Sequence, residues 1–211
     1  MGQAHPVFAR IYARLRPAMD EQGARDHRRR LLDGLAGQVV EVGAGDGGNF
    51  VHYPEAVKGV VAVEPEPYLR TKAESQAFAA PVPVEVVSGT ADRLPLTDGS
   101  VDAVVASLVL CSVPDQGVAL AEAFRVLRPG GELRFYEHVA AEPGQRLARV
   151  QRIADATIYS WFSGGCHLHR NTAAAISTAG FTITALDRFN FPSSGPNPAA
   201  PHILGRAVRP G

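Results

Sequence analysis

Residues 39–50 read Val-Val-Glu-Val-Gly-Ala-Gly-Asp-Gly-Gly-Asn-Phe, and this stretch constrains the fold more than any other. The β-branched run Val39, Val40 and Val42 predicts a buried strand, and the glycines that follow permit backbone shapes a Cβ would forbid. The spacing predicts that the strand, over 38–43, breaks into a turn and then opens a helix near Gly47. A ligand can lie against bare main chain at such a turn. Gly43, Gly45 and Gly48 also satisfy G-x-G-x-x-G, a pattern shared by several nucleotide-type sites, so the motif alone does not name the ligand.

From residue 38 onward, apolar strand patterns alternate with helical ones. Strands are predicted over 59–63, 83–87, 101–108 and 132–138, with helices over 67–79 and 116–127. Further helices are expected over 144–161 and 171–179, and two last strands over 181–186 and 202–208. This alternation predicts an α/β fold, Rossmann-like and doubly wound, with a seven-stranded sheet that is mostly parallel and has an antiparallel last strand. Ligands in such sheets bind beyond the carboxyl ends of the strands, near the switch point. Residues 1–36 have helical periodicity instead: Val7, Phe8, Ile11, Tyr12 and Leu15 share one face of a helix expected to stop before Pro17. A second helix is expected over 21–35 and to end at Gly37, with Arg25 and Arg28–Arg30 on a solvated face. The pair reads as a lid with Tyr12 facing inward, over a core spanning 38–211 in a single domain.

The 211 residues carry Lys+Arg 21 against Asp+Glu 21 and a formal net charge of +0, so nothing in the charge favours a nucleic-acid partner or an anionic membrane. Two cysteines are too few for a disulfide framework. With no apolar stretch long enough to span a membrane and no signal-like N-terminus, a cytoplasmic protein with no membrane partner is expected.

Glu64 follows the second predicted strand, where a carboxylate accepts hydrogen bonds from a ribose diol. NAD and S-adenosylmethionine both present an adenosine and both satisfy this much. Other features separate them. Two helices precede the glycine-rich strand, and Glu41 lies two residues before Gly43, where an acid suits a cationic ligand tail better than a pyrophosphate. Thr90-Ala91-Asp92-Arg93-Leu94-Pro95 follows the third strand and offers backbone and a carboxylate to an adenine edge. Asp98-Gly99-Ser100-Val101-Asp102 and Arg125-Val126-Leu127-Arg128-Pro129-Gly130-Gly131 precede the fourth and fifth strands.

Together these motifs resemble the class I S-adenosylmethionine-dependent methyltransferases over residues 38–138. The segments Glu41–Phe50, Ser107–Val113, Glu137–Ala141, Gly165-Cys166 and Pro201–Ile203 are similar to the thiol S-methyltransferase branch, and much of this is shared with bacterial ubiquinone/menaquinone-type enzymes. The animal thiol methyltransferases carry an N-terminal membrane anchor that is not expected here. The resemblance implies S-adenosylmethionine as cofactor and a small-molecule acceptor. Gly43, Ala44 and Gly45 would cradle the amino-acid portion, with Glu41 and Asn49 near its polar ends. Glu64 and Pro65 would hold the ribose, and Thr90, Ala91 and Asp92 the adenine. Leu108 and Cys111 would lie under the sulfonium.

Thiol methylation needs a thiolate. His138, at the end of the fifth strand beside Glu137, is the candidate base; the alternative is a histidine bonded only to a loop carbonyl. Cys111 reads more readily as a small apolar wall residue. Cys166, His167 and His169 form a Cys-His-x-His cluster that with Cys111 and His138 could be drawn as a zinc site, but with no paired Cys-x-x-Cys or His-x-x-x-His spacing no metal is expected. They are assigned instead to the substrate pocket with Tyr12 and Phe191. Tyr159, Trp161, Phe162, Phe189 and Phe191 supply aromatic surface, divided between core and pocket, and the 191–201 loop is expected to help close it.

Overall fold

The computed structural model describes residues 6–156, 164–193 and 197–211. Seven strands form one sheet: β1 (Gly37–Val42), β2 (Val57–Val63), β3 (Val84–Val87), β4 (Val101–Ser107), β5 (Leu127–His138), β6 (Thr182–Asn190) and β7 (Pro201–Val208). Their order is β3-β2-β1-β4-β5-β7-β6. β7 runs antiparallel to both neighbours, and every other pairing is parallel. The order reverses between β1 and β4, which opens a crevice at their carboxyl ends.

Strand alternation gives each face its own core. Val40, Val42, Val104, Leu133 and Phe135 face one side, where Leu120 of α4 (Gln116–Val126) and Ile176 of α6 (Thr172–Thr178) pack on them. Val39, Val60, Ala62, Val105 and Tyr136 face the other, covered by Leu31 and Leu32 of α2 (Arg25–Leu32) and Ala73 of α3 (Pro67–Ala77). Glu41 alternates with Val40 and Val42, so its carboxylate enters the second core, where it is buried.

Several local expectations need correction. No regular helix opens at Gly47. Gly45 and Gly47 take φ of 58° and 82°, outside the helical range, and only a three-residue 3-10 turn (Phe50–His52) follows. At the N-terminus, α1 (Pro6–Met19) continues through Pro17. Pro17 has no N–H to donate within the helix, and beside it Arg16 donates to Asp20 (2.7 Å) and Asp46 (2.6 Å). A π-helical turn, Asp20–Ala24, with Gly23 at φ 121°, bends the chain into α2, which ends at Leu32 before a Gly34 turn. α5 spans Arg146–Asp155, and residues 157–163, which include Tyr159, Trp161 and Phe162, lie outside the described residues.

The arginine cluster also divides. Arg29 and Arg30 are solvated, whereas Arg28 is buried. Its Nε donates to Asp20 Oδ1 (3.2 Å) and its Nη1 to Asn49 Oδ1 (3.0 Å). Asn49 Nδ2 in turn donates to Glu41 Oε1 (2.8 Å), so a continuous polar chain ties α1 and α2 to β1. Without Arg28, Asp20 keeps Arg16 but Asn49 Oδ1 is left buried without its donor, which costs about 1–3 kcal/mol. Arg28→Ala should therefore lose roughly 2 kcal/mol in urea unfolding. Arg29→Ala, which breaks only an exposed pair with Asp26, should stay within about 0.5 kcal/mol of wild type. Equal small losses would mean that the buried chain does not hold the helices.

Candidate active site

A cleft of about 790 Å³ lies at the carboxyl ends of β1, β2 and β4, beneath α1. That volume falls in the range that encloses a nucleoside-sized ligand. Gly43, Gly45, Glu64, Pro65, Thr90, Ala91, Asp92 and Leu108 line it, as do Tyr12 and His167. Phe8 and Ala9 of α1 add to its cover, and Gly164 and Gly165 to its far wall.

Glu64 is a buried carboxylate in the cleft wall. Its Oε2 accepts from Gly45 N (2.8 Å) and its Oε1 from Glu66 N (2.9 Å). Each oxygen keeps a lone pair that could accept from a ribose hydroxyl, so these acceptors fit the diol of an adenosine. Burial pushes this carboxyl up to about 7, against the two amide bonds that favour its ionised form. The glycines have separate duties. A Cβ on Gly43 would strike the Val109 side chain, and one on Gly45 would meet the Tyr12 ring at 3.4 Å. Gly48 faces Arg16, so the third glycine of the fingerprint serves the seat of α1.

At the other end, the loop after β4 is held from several sides. Leu108 adopts φ 58°, rare for a residue with a Cβ, and its N–H donates to Tyr136 O (2.7 Å). Glu137 makes that shape tenable: its carboxylate accepts from Val109 N (2.9 Å), Leu110 N (2.9 Å) and Cys111 N (3.3 Å). Arg170 Nη1 donates to the Leu110 and Val113 carbonyls, both at 2.7 Å. Burial pushes the Glu137 carboxyl up to about 8. The role of neither Glu137 nor Arg170 is legible in the sequence. Their only sequence signal is an acid beside His138 at a strand end and a basic residue after the Cys-His-x-His cluster.

Several residues expected in the site lie behind its walls. Glu41, Ala44 and Asn49 do not line the cleft. The Glu41 carboxylate accepts from Asn49 and from Tyr53 Oη (2.7 Å), and burial pushes it up to about 7. Cys111 and Cys166 are also buried behind the wall, and His138 turns toward them, its Nε2 lying 2.6 Å from Cys166 Sγ. No loop carbonyl accepts from His138 among the described residues, and Nδ1 has no hydrogen-bond partner there. The Cys111 thiol is held well below its ordinary range, first by its hydrogen bond with Cys166 and then by the His138 charge, against burial. His169 is exposed, and its N–H donates to Asp155. Phe191 packs edge-on against His27 (5.0 Å between centroids) and His202 (5.9 Å), in an aromatic cluster with Tyr136 and Phe189. Tyr136, Phe189 and His202 come from β5, β6 and β7, His27 from α2 and Phe191 from just after β6, and none of the five lines the cleft.

A sequence model described as a methyltransferase domain matches residues 40–135. The chain is 37% identical over 183 residues to the human thiol S-methyltransferase TMT1B, covering 84% of this chain and 74% of that protein. It is 38% identical over 174 residues to human TMT1A, covering 81% and 70%. The solved structure of an S-adenosylmethionine-dependent methyltransferase from Mesorhizobium loti superposes with a TM-score of 0.63 at 21% identity, covering 86% of this chain and 95% of that one.

The fold and the matched domain define a class I methyltransferase whose cofactor is S-adenosylmethionine. Within that class, the chain belongs to the family of the thiol S-methyltransferases TMT1A and TMT1B. Among the described residues, no helix is long and apolar enough to cross a membrane.

A ribose hydroxyl placed on Glu64 would donate to its ionised form, so the sign of the pH effect follows. Affinity for S-adenosylhomocysteine should weaken as pH falls through about 7 and level off above it. Glu64→Ala should lose roughly 10- to 100-fold in affinity, the worth of hydrogen bonds to a charged group. Glu64→Gln should flatten the pH dependence. Calorimetric titration across pH checks both, and an unchanged profile in Glu64→Gln would remove Glu64 as the ribose ligand.

Proposed function

We propose that this methyltransferase transfers its methyl to the sulfur of a small apolar thiol. The identity with thiol S-methyltransferases along 84% of the chain carries this reading, because it reaches well past the cofactor half into the segments that form the acceptor wall. Leu108, Val109, Val113, Pro114 and Val118 give that end of the cleft an apolar surface. When bound, S-adenosylmethionine supplies a methyl already activated on a sulfonium sulfur. The protein's task is to align the nucleophile, exclude water and remove one proton.

In the proposed reaction, Glu64 holds the ribose while Thr90, Ala91 and Asp92 border the adenine. Gly43 and Gly45 expose main chain to the amino-acid portion. Glu41, Ala44 and Asn49 support the glycine turn from behind, and Tyr12 covers it. A thiol acceptor gives its proton to a base, the thiolate sulfur forms the new S–C bond, and the sulfonium S–C bond breaks. With His138 turned inward, we assign the proton to His167, the imidazole that does line the cleft. Its backbone N–H donates to Cys111 O (2.9 Å), which fixes the ring's origin beside Ser112.

Two experiments test this reading. Thiols, phenols and amines would be compared by release of S-adenosylhomocysteine, and turnover of phenols without thiols would reassign the enzyme to O-methylation. His167→Ala should lower kcat/KM for a thiol by about 10²-fold or more while leaving cofactor affinity intact. Unchanged turnover would dismiss His167 as the base.

A further inference from the structure

The inward-facing group of Cys111, His138 and Cys166 has no part in the cofactor cleft. The three residues come from the loop after β4, the last position of β5 and the 164–168 turn. Their sulfur and nitrogen donors all lie within 4.8 Å of one another. All three side chains are buried, at 2%, 7% and 9% exposure. The imidazole has sulfur on Nε2 and no partner on Nδ1 among the described residues, so it has lost the hydrogen bonds that water would supply.

We propose that these residues form a site for a soft divalent metal ion, zinc by donor chemistry, bound through two thiolates and one imidazole. Two sulfurs and one ring nitrogen supply three of the four positions of a tetrahedral zinc, at roughly 2.3 Å and 2.1 Å, and a water or hydroxide completes the set. Two donors on such an ion stand roughly 3.5 Å apart, so the 2.6 Å between His138 Nε2 and Cys166 Sγ opens by about 1 Å as the metal enters. Both thiols release their protons on binding, and two thiolates neutralise the double positive charge. That balance suits a buried position beside Glu137.

Spacing in sequence argues against a metal here, because the ligands come from three separate segments and only the fold brings them together. Their position defines the ion's role. Ser112 follows Cys111, while Gly165 and His167 flank Cys166, and all three of these neighbours line the cleft. The ion clips the 164–168 turn to the ends of β4 and β5, and so fixes the acceptor wall.

Metal content of the full-length protein, purified without chelator from zinc-supplemented cells, tests the proposal. The expected result is about one zinc per chain, lost in Cys111→Ser and in Cys166→Ser. Should either variant fail to fold, cobalt(II) loaded into the wild-type chain decides: tetrahedral ligand-field bands with thiolate charge transfer support the site. Absence of those bands, wild-type zinc content retained in both variants, or a Cys111–Cys166 disulfide in protein isolated without reductant would overturn it.

Discussion

Buried carboxylates at the carboxyl ends of the strands hold this active site in shape. A parallel sheet delivers several loops to one edge, and their N–H and side-chain donors need acceptors there. Glu41 takes Asn49 and Tyr53, Glu64 takes the amides of Gly45 and Glu66, and Glu137 takes three successive amides after β4. Each carboxyl is raised, to about 7, 7 and 8, because burial opposes its charge more than its donors favour it. Of the three, Glu64 alone faces the cleft. The other two act through the loops they hold.

The same arrangement explains how one edge serves two tasks. On the cofactor side, Glu41 and Asn49 continue through Arg28 to Asp20, so the glycine turn and the helices above it are one connected structure. On the acceptor side, Glu137 and Arg170 hold the strained Leu108 loop from its amides and its carbonyls. Methyl transfer depends on alignment more than on acid–base power, so rigidity of both walls is the property such an enzyme needs.

The sequence made the cofactor half legible because its signals are local. Strand periodicity, the glycine turn, Glu64 and the Thr90–Asp92 segment can each be read within a few residues, and Gly43, Gly45, Glu64 and Thr90–Asp92 all line the cleft. Burial and long-range partners were not legible. Arg28 reads as one of four similar arginines, and only the fold shows that it alone points into a polar chain. Glu41 was read toward the ligand because its distance from Gly43 fits, but strand alternation turns it into the core. Phe191 and His138 went astray for the same reason: which way a side chain faces at a strand end depends on pairings between segments far apart in the chain. The helix expected after Gly47 failed because the glycines that favour a turn also disfavour helical φ.

The central claim is that the cleft binds the cofactor through Glu64 while the other two carboxylates stay with the protein. A crystal structure with S-adenosylhomocysteine tests it most directly. The account predicts the ribose hydroxyls on Glu64, with Glu41 still bonded to Asn49 and Tyr53, and Glu137 still on the amides of Val109–Cys111. A ligand whose amino group displaced Asn49 from Glu41, or whose ribose lay away from Glu64, would contradict it.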